Sequence, residues 1–330
     1  MLKRISVLFL IIALVTIGSV AVAEPTPNAA TDVGTIEKLI DALSSPDRVT
    51  WEQAIDQLTQ IGLMAVPQLS QAARKKGEGL ARWNAVNSLA RIKAPESKPL
   101  LIELLRDEDS SIRGAACWGL SQIGGQDVSD VLLEFLRTSL EQKNWSDVQR
   151  ATEAQRELPD KRAVPLLITC LDVIDKSIAD HSFSQHAAES PPNYSFSHYA
   201  ADALGKIGDP SASEALAKQL DLSVEYSASK DPWFLAAIAK TKGDKAVPYL
   251  VHYLVALVEK MRGQEIPEGT IGREARQTLH NISVYYSTLS ALEAITKRKS
   301  GRKSDGATRE ETAENWSAWL KEWEKNQAKQ

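Results

Sequence analysis

The chain repeats itself at a fixed interval, and that interval restricts the possible folds more than any other feature. Ala54–Gly62 reads AIDQLTQIG, Ala85–Lys93 reads AVNSLARIK and Ala116–Gly124 reads ACWGLSQIG. Leu58, Leu89 and Leu120 fall 31 residues apart, twice in succession. A unit of that length is one supersecondary element too small to bury its apolar face alone, so neighbours must stack to make a core. Around each leucine the apolar positions obey helical spacing. With Leu58 as position zero, Trp51, Ala54, Ile55 and Ile61 stand at −7, −4, −3 and +3, on one face of a helix. The small residue at −4 recurs as Ala85, Ala116 and Ala200, where a methyl group lets two helices approach closely. Gly62, Gly124, Gly208 and Gly243 follow the last apolar residue and predict a left-handed helix C-cap.

A second element follows each first helix. Ala65–Leu69 (AVPQL) recurs as Ala163–Leu167 (AVPLL) and Ala246–Leu250 (AVPYL), with Pro99 and Leu101 a less complete copy. Proline suits the first turn of a helix, where its missing N–H is no loss. Each unit therefore reads helix, glycine turn, proline-started helix. A slot near Asp130 fits the spacing without a proline. The expected units run near 49–76, 79–106, 109–140, 146–178, 196–223, 231–262 and 270–297, after a half-unit at 35–45 that shields the first. The fourth and sixth are degenerate: Leu158-Pro159 replaces Ile-Gly, and 239–243 lacks the leucine.

This pattern resembles the HEAT-repeat family, and within it the phycobilisome-lyase-type repeats. His198–Pro210 (HYAADALGKIGDP) is the best single match. The resemblance implies an all-α, right-handed α-α superhelix of about seven helical pairs, with the second helices lining the concave surface. It speaks to fold and hardly to function, because such repeats serve scaffolds, adaptors and a few enzymes alike.

The ends differ from the repeats. Lys3 and Arg4 precede an apolar run from Ile5, and Ala21-Val22-Ala23 puts small residues before Glu24. That layout predicts a secretory signal peptide over 1–23, cleaved after Ala23, followed by a flexible lead-in at 24–34. The alternative is an uncleaved N-terminal anchor, since 19 residues from Ile5 to Ala23 just suffice to span. Cleavage moves the formal charge from −4 to −6, by loss of Lys3 and Arg4. The mature chain is thus expected to be periplasmic or secreted and to have no membrane span. With no long basic track, nucleic acid is not an expected partner. The solenoid is expected over 35–297, and 298–330 is read as a basic loop and a capping helix. Trp316, Trp319 and Trp323 share one face of that helix, which is read as closing the stack, as a solenoid end requires; the alternative is an exposed aromatic anchor for a partner. Export would permit a disulfide, but Cys117 and Cys170 lie in different repeats and Cys117 occupies a core position, so both are read as buried thiols.

The sequence has no P-loop, G-x-S-x-G, H-E-x-x-H or C-x-x-C motif. Deoxyhypusine hydroxylase, a HEAT-type enzyme, binds di-iron through His-Glu pairs. None of the five histidines here precedes a glutamate, so the resemblance brings no such activity. A polar, histidine-bearing insertion interrupts the period near 177–197. His181, His186 and His198, with Asp180 and Glu189, could make a zinc or copper site, although their spacing matches no established ligand pattern. No cofactor is otherwise expected.

Partner binding is read from outward columns. Counting from each proline, the core side holds −1, +2, +3 and +6. The outward pair at +1 and +4 reads Gln68/Gln71, Leu100/Glu103, Val131/Glu134, Leu166/Thr169, Ala215/Lys218 and Tyr249/His252. Tyr249, His252 and, at the margin, Tyr253 form an aromatic group of the kind recognition surfaces use, unless the insertion covers them. On the first helices, position −2 carries Asp56, Asn87 and Asp202 but Trp118 in the third unit, an indole that is either covered or used for binding. The expected function is a non-catalytic scaffold or adaptor for a protein or peptide on the concave face. The alternative is an accessory subunit or metal-dependent enzyme centred on the insertion.

Overall fold

The computed structural model describes residues 33–77, 79–179, 195–220, 231–262, 273–299 and 307–328. The expected signal peptide, most of the lead-in and most of the insertion lie outside them. Among the described residues all regular structure is helical. Helix α1 (Val33–Ala42) packs on α2 (Arg48–Ile61) and α3 (Val66–Arg74) and shields the first unit. Units two to six pair α4 (Gly79–Ile92) with α5 (Lys98–Leu104), α6 (Ser110–Ile123) with α7 (Gln126–Glu141), α8 (Trp145–Glu157) with α9 (Val164–Ala179), α10 (Ser195–Ile207) with α11 (Ser213–Ala217), and α12 (Asp231–Thr241) with α13 (Val247–Met261). The first helices stack in order from α2 to α12, and each second helix packs on the first helix of the next unit. The result is an all-α superhelix in which the core lies between two layers of helices.

The seventh unit differs from the sequence reading. Residues 273–296 form one continuous helix, α14 (Arg273–Thr296), which packs on α12 and α13. Helix α15 (Arg309–Gln327) then lies along α13 and occupies the second-helix position. A Thr308/Glu311 capping box starts α15. Trp316 is buried, while Trp319 and Trp323 lie half-buried against the core, so the tryptophan face closes the end of the stack.

The columns explain the close stacking of first helices. Leu58, Leu89, Leu120 and Leu204 are fully buried, as are the −4 residues Ala85, Ala116 and Ala200. Asp47 and Asp109 cap α2 and α6 by accepting hydrogen bonds from Thr50 N–H and Ser111 N–H. At the C-termini, Gly62, Gly124 and Gly208 have φ near +70° (69°, 71° and 69°), the left-handed region expected of them. Gly243 departs from the expectation. There Lys242 takes the left-handed turn (φ 55°) and Gly243 is extended (φ −80°). Gly243 is needed for space instead: a Cβ would lie 2.1 Å from Ser213 Oγ and 2.3 Å from the Pro210 carbonyl oxygen. Because the left-handed residue stands four after the column leucine, Ile238 fills the leucine place that sequence reading had left empty in unit six.

Pro67, Pro99, Pro165 and Pro248 all sit in the first turn of their helices. The slot without a proline behaves differently. Helix α7 begins at Gln126, directly after Gly125, and lacks the short 3-10 turn that leads into α3, α5, α9, α11 and α13. Both cysteines are free and buried, as expected.

Candidate partner-binding site

The −7 column of the first helices supplies Arg113 to a concavity on the second-helix side. It reads Trp51, Arg82 and Arg113 through the first three units. The Arg82 guanidinium donates to the Ala73 carbonyl (3.0 Å) and pairs with Asp107, with the two side chains 6% and 9% exposed. Arg113 repeats the device one unit on. Its Nε donates to both oxygens of Asp147 (3.0 and 2.8 Å), and its Nη1 donates to the carbonyls of Asp107 and Glu108. Asn144 Nδ2 donates to Asp147 as well (2.7 Å). Burial alone would raise the Asp107 carboxyl. The Arg82 hydrogen bond, the Asp109 N–H and the nearby positive charges outweigh it and hold the group below its ordinary value. Buried charges that are paired and hydrogen-bonded in this way form a fixed polar surface.

At that surface an open groove of about 570 Å³ runs between α5 and α7. Ile102, Leu105, Val131 and Phe135 line its apolar wall, and Arg106, Glu134, Gln142 and Asn144 are among its polar lining. Glu134 is exposed and paired with Arg137. Ile102 corrects the column reading: it stands at +3, assigned to the core, yet is 36% exposed. Leu100 is the reverse case, predicted outward and found buried. The +4 residues Gln71, Glu103, Glu134, Thr169, Lys218 and His252 are all exposed, as read.

The aromatic group of unit six is divided by the structure. Tyr249 is 37% exposed, and His252 is exposed one turn further along α13. The Tyr249 hydroxyl lies 3.4 Å from Glu214 Oε1, with Lys218 beside the ring, so α11 and α13 share this patch. Tyr253 is corrected from the recognition face to the interior. It is buried, and its hydroxyl donates to Asp231 Oδ2 at 2.5 Å, the first residue of α12.

Trp118 lies on the other layer, on α6, and is 38% exposed. It therefore does not join Tyr249 and His252 in one site. His181 and His186 lie outside the described residues. His198 is described: its ring lies 4.7 Å from that of Trp233 and 5.4 Å from that of Tyr199. No group of three metal-ligating side chains occurs among the described residues. Sequence reasoning missed Trp233, which is 46% exposed. It occupies the −5 column, as does Tyr199 in the preceding unit. That alignment becomes visible only once Ile238 is taken as the column residue.

Neither cysteine is poised for nucleophilic chemistry. Burial pushes the Cys117 thiol far up, and burial raises Cys170 to about 12 against a weaker opposing contact with Thr152.

Stacked helical pairs with a period near 31 define the class, an α-solenoid. Residues 66–156 match the model described as HEAT repeats and residues 198–221 match the PBS lyase HEAT-like repeat, so HEAT repeats occur in both halves of the stack. Among solved structures the chain is similar to the complex of CpcE and CpcF of phycocyanin lyase from Nostoc sp. PCC7120 (19% identity, 80% of this chain and 98% of that one, TM-score 0.38). It is also similar to human deoxyhypusine hydroxylase (18%, 86% and 95%, TM-score 0.33) and to a designed armadillo repeat protein (20%, 79% and 99%, TM-score 0.30). Scores this low lend nothing to a functional argument. Among curated proteins, none matches the chain. No helix among the described residues is long and apolar enough to cross a membrane.

Proposed function

We propose that this chain is a non-catalytic scaffold, exported and cleaved after Ala23, which binds an extended segment of another protein along its second helices. The observation that carries this reading is the groove between α5 and α7, with its apolar wall of Ile102, Leu105, Val131 and Phe135 beside a fixed surface of paired charges. An extended segment needs a slot for a side chain and polar groups for its backbone, and this groove has both. Tyr249 and His252 continue the same face three units away. The buried, protonated thiols favour binding over nucleophilic catalysis.

Peptides selected by display against the mature chain test the proposal. Ile102→Asp and Tyr249→Ala alter exposed positions, so the melting temperature should hold while affinity for the selected peptides falls tenfold or more. Unchanged affinity in both variants would remove the second-helix face from consideration. N-terminal sequencing of the chain recovered from the envelope should begin at Glu24; retention of Met1 would refute cleavage.

A further inference from the structure

The first-helix layer carries a second constellation, separate from the groove. Two rungs bridge α10 and α12. The aromatic rung is His198 against Trp233, with centroids 4.7 Å apart and planes tilted by 32°. Tyr199 stacks on His198 at 12°, and the Arg156 guanidinium lies 5.4 Å over the Tyr199 ring. The ionic rung is Asp202 with Lys240, 3.8 Å apart, and Arg156 reaches the same carboxylate at 3.9 Å. Both contacts exceed hydrogen-bond range, so the Asp202 oxygens keep acceptor capacity. A Cβ on Gly205 would stand 3.0 Å from Ala237 Cα, so the two helices run close together and carry both rungs on one shelf.

The spacing of the rungs indicates a class of ligand. Asp202 follows His198 by four residues and Lys240 follows Trp233 by seven, so the rungs are separated by about 6–10 Å along the helices. One or two pyranose rings cover that distance. The exposed indole offers an apolar, electron-rich face for the C–H side of a sugar ring. A carboxylate flanked by an ammonium and a guanidinium offers acceptors and donors to adjacent hydroxyls. Burial holds the His198 imidazole below its ordinary value, with Asp202 and Arg156 acting in opposite directions. At neutral pH it backs the indole as an uncharged ring.

We propose that Trp233, His198, Asp202 and Lys240 form a binding shelf for a neutral carbohydrate, stacking one sugar ring on Trp233 and holding its hydroxyls at Asp202. The shelf is independent of the peptide-binding groove.

Calorimetric titration of the full mature chain with cellotriose, maltotriose and chitotriose tests this, with AMP as a planar control. At least one trisaccharide should bind saturably. Trp233→Ala should weaken it about tenfold or more, the scale of one stacking platform, and Trp233→Phe should restore much of the loss. Asp202→Asn should weaken binding while Tyr249→Ala leaves it unchanged. Circular dichroism melts identify any variant that has lost its fold, in which case Trp233→Phe and Asp202→Asn decide. Binding of none of the three sugars, equal binding by Trp233→Ala, or preference for AMP would overturn the proposal.

Discussion

In units one to three the −7 column holds Trp51, Arg82 and Arg113; in units four to six it holds Val148, Ser197 and Asp231. The leucine column changes in parallel, from Leu58, Leu89 and Leu120 to Gln155, Leu204 and Ile238. The −4 column passes from three alanines to Ala151, Ala200 and Phe234. The first region thus sets buried charges over a uniform leucine and alanine core, with Arg82 paired to Asp107 inside it and Arg113 paired to Asp147 at its border with unit four. The second packs varied apolar residues and includes three polar residues in buried columns, Gln155, Ser197 and Asp231. Asp231 is engaged by Tyr253. Gln155 is fully buried, and neither amide atom has a hydrogen-bond partner among the described residues. One architecture therefore tolerates two kinds of glue. A solenoid requires only that each interface be satisfied locally, since no unit depends on a distant one.

The largest effect is expected where the second region departs most from small residues. Phe234→Ala removes a fully buried ring and should cost about 4 kcal/mol. Monitored by urea unfolding with probes in each half, the loss should fall on units four to seven. An equal shift in the α2–α7 region would mean that the two regions unfold as one.

Asp107→Ala probes the first region and strands the buried Arg82 guanidinium, for about 3 kcal/mol. The loss should fall on the α2–α7 probes, and a change below about 0.5 kcal/mol would show the pair to be no more than a surface contact. The same pair has a signed pH dependence. An unfolded Asp titrates near about 3.9, and the folded carboxyl lies lower. The contribution of the pair is complete above that unfolded value and is lost as pH falls through the folded one. The stability gap between the wild-type chain and Asp107→Asn should therefore narrow on acidification from pH 5 to pH 2. A gap that widens would contradict the assignment.

The smallest effect has the opposite sign. Gln155→Leu restores the column residue and relieves an unpaired buried amide, so it should stabilise the second region by about 1 kcal/mol. Destabilisation would mean that Gln155 is held by a partner such as an ordered water, and the contrast between the regions would soften.

Much of the fold is legible in the residues because its determinants are local. The capping aspartates, the glycine turns and the first-turn prolines act within a few residues of themselves. The candidate site was only partly legible. Tyr249, His252 and Trp118 were found from their columns and are exposed. Tyr253 was misread because its partner, Asp231, lies 22 residues away. Ile102 was misread because on α5 it is Leu100, and not Ile102, that turns into the core. Trp233 was missed because Lys242 and Ile238 disguise the register of unit six.

By itself, the sequence determined that helical hairpins stack at a period near 31 and that a tryptophan-faced helix closes one end. Helical spacing and backbone punctuation are set by near neighbours along the chain. Only the tertiary structure decided which outward positions stay open, where the groove lies, and that His198 meets Trp233 across two helices. Those outcomes depend on contacts between residues some 35 positions apart, whose geometry follows from how closely adjacent helices pack and not from any local pattern.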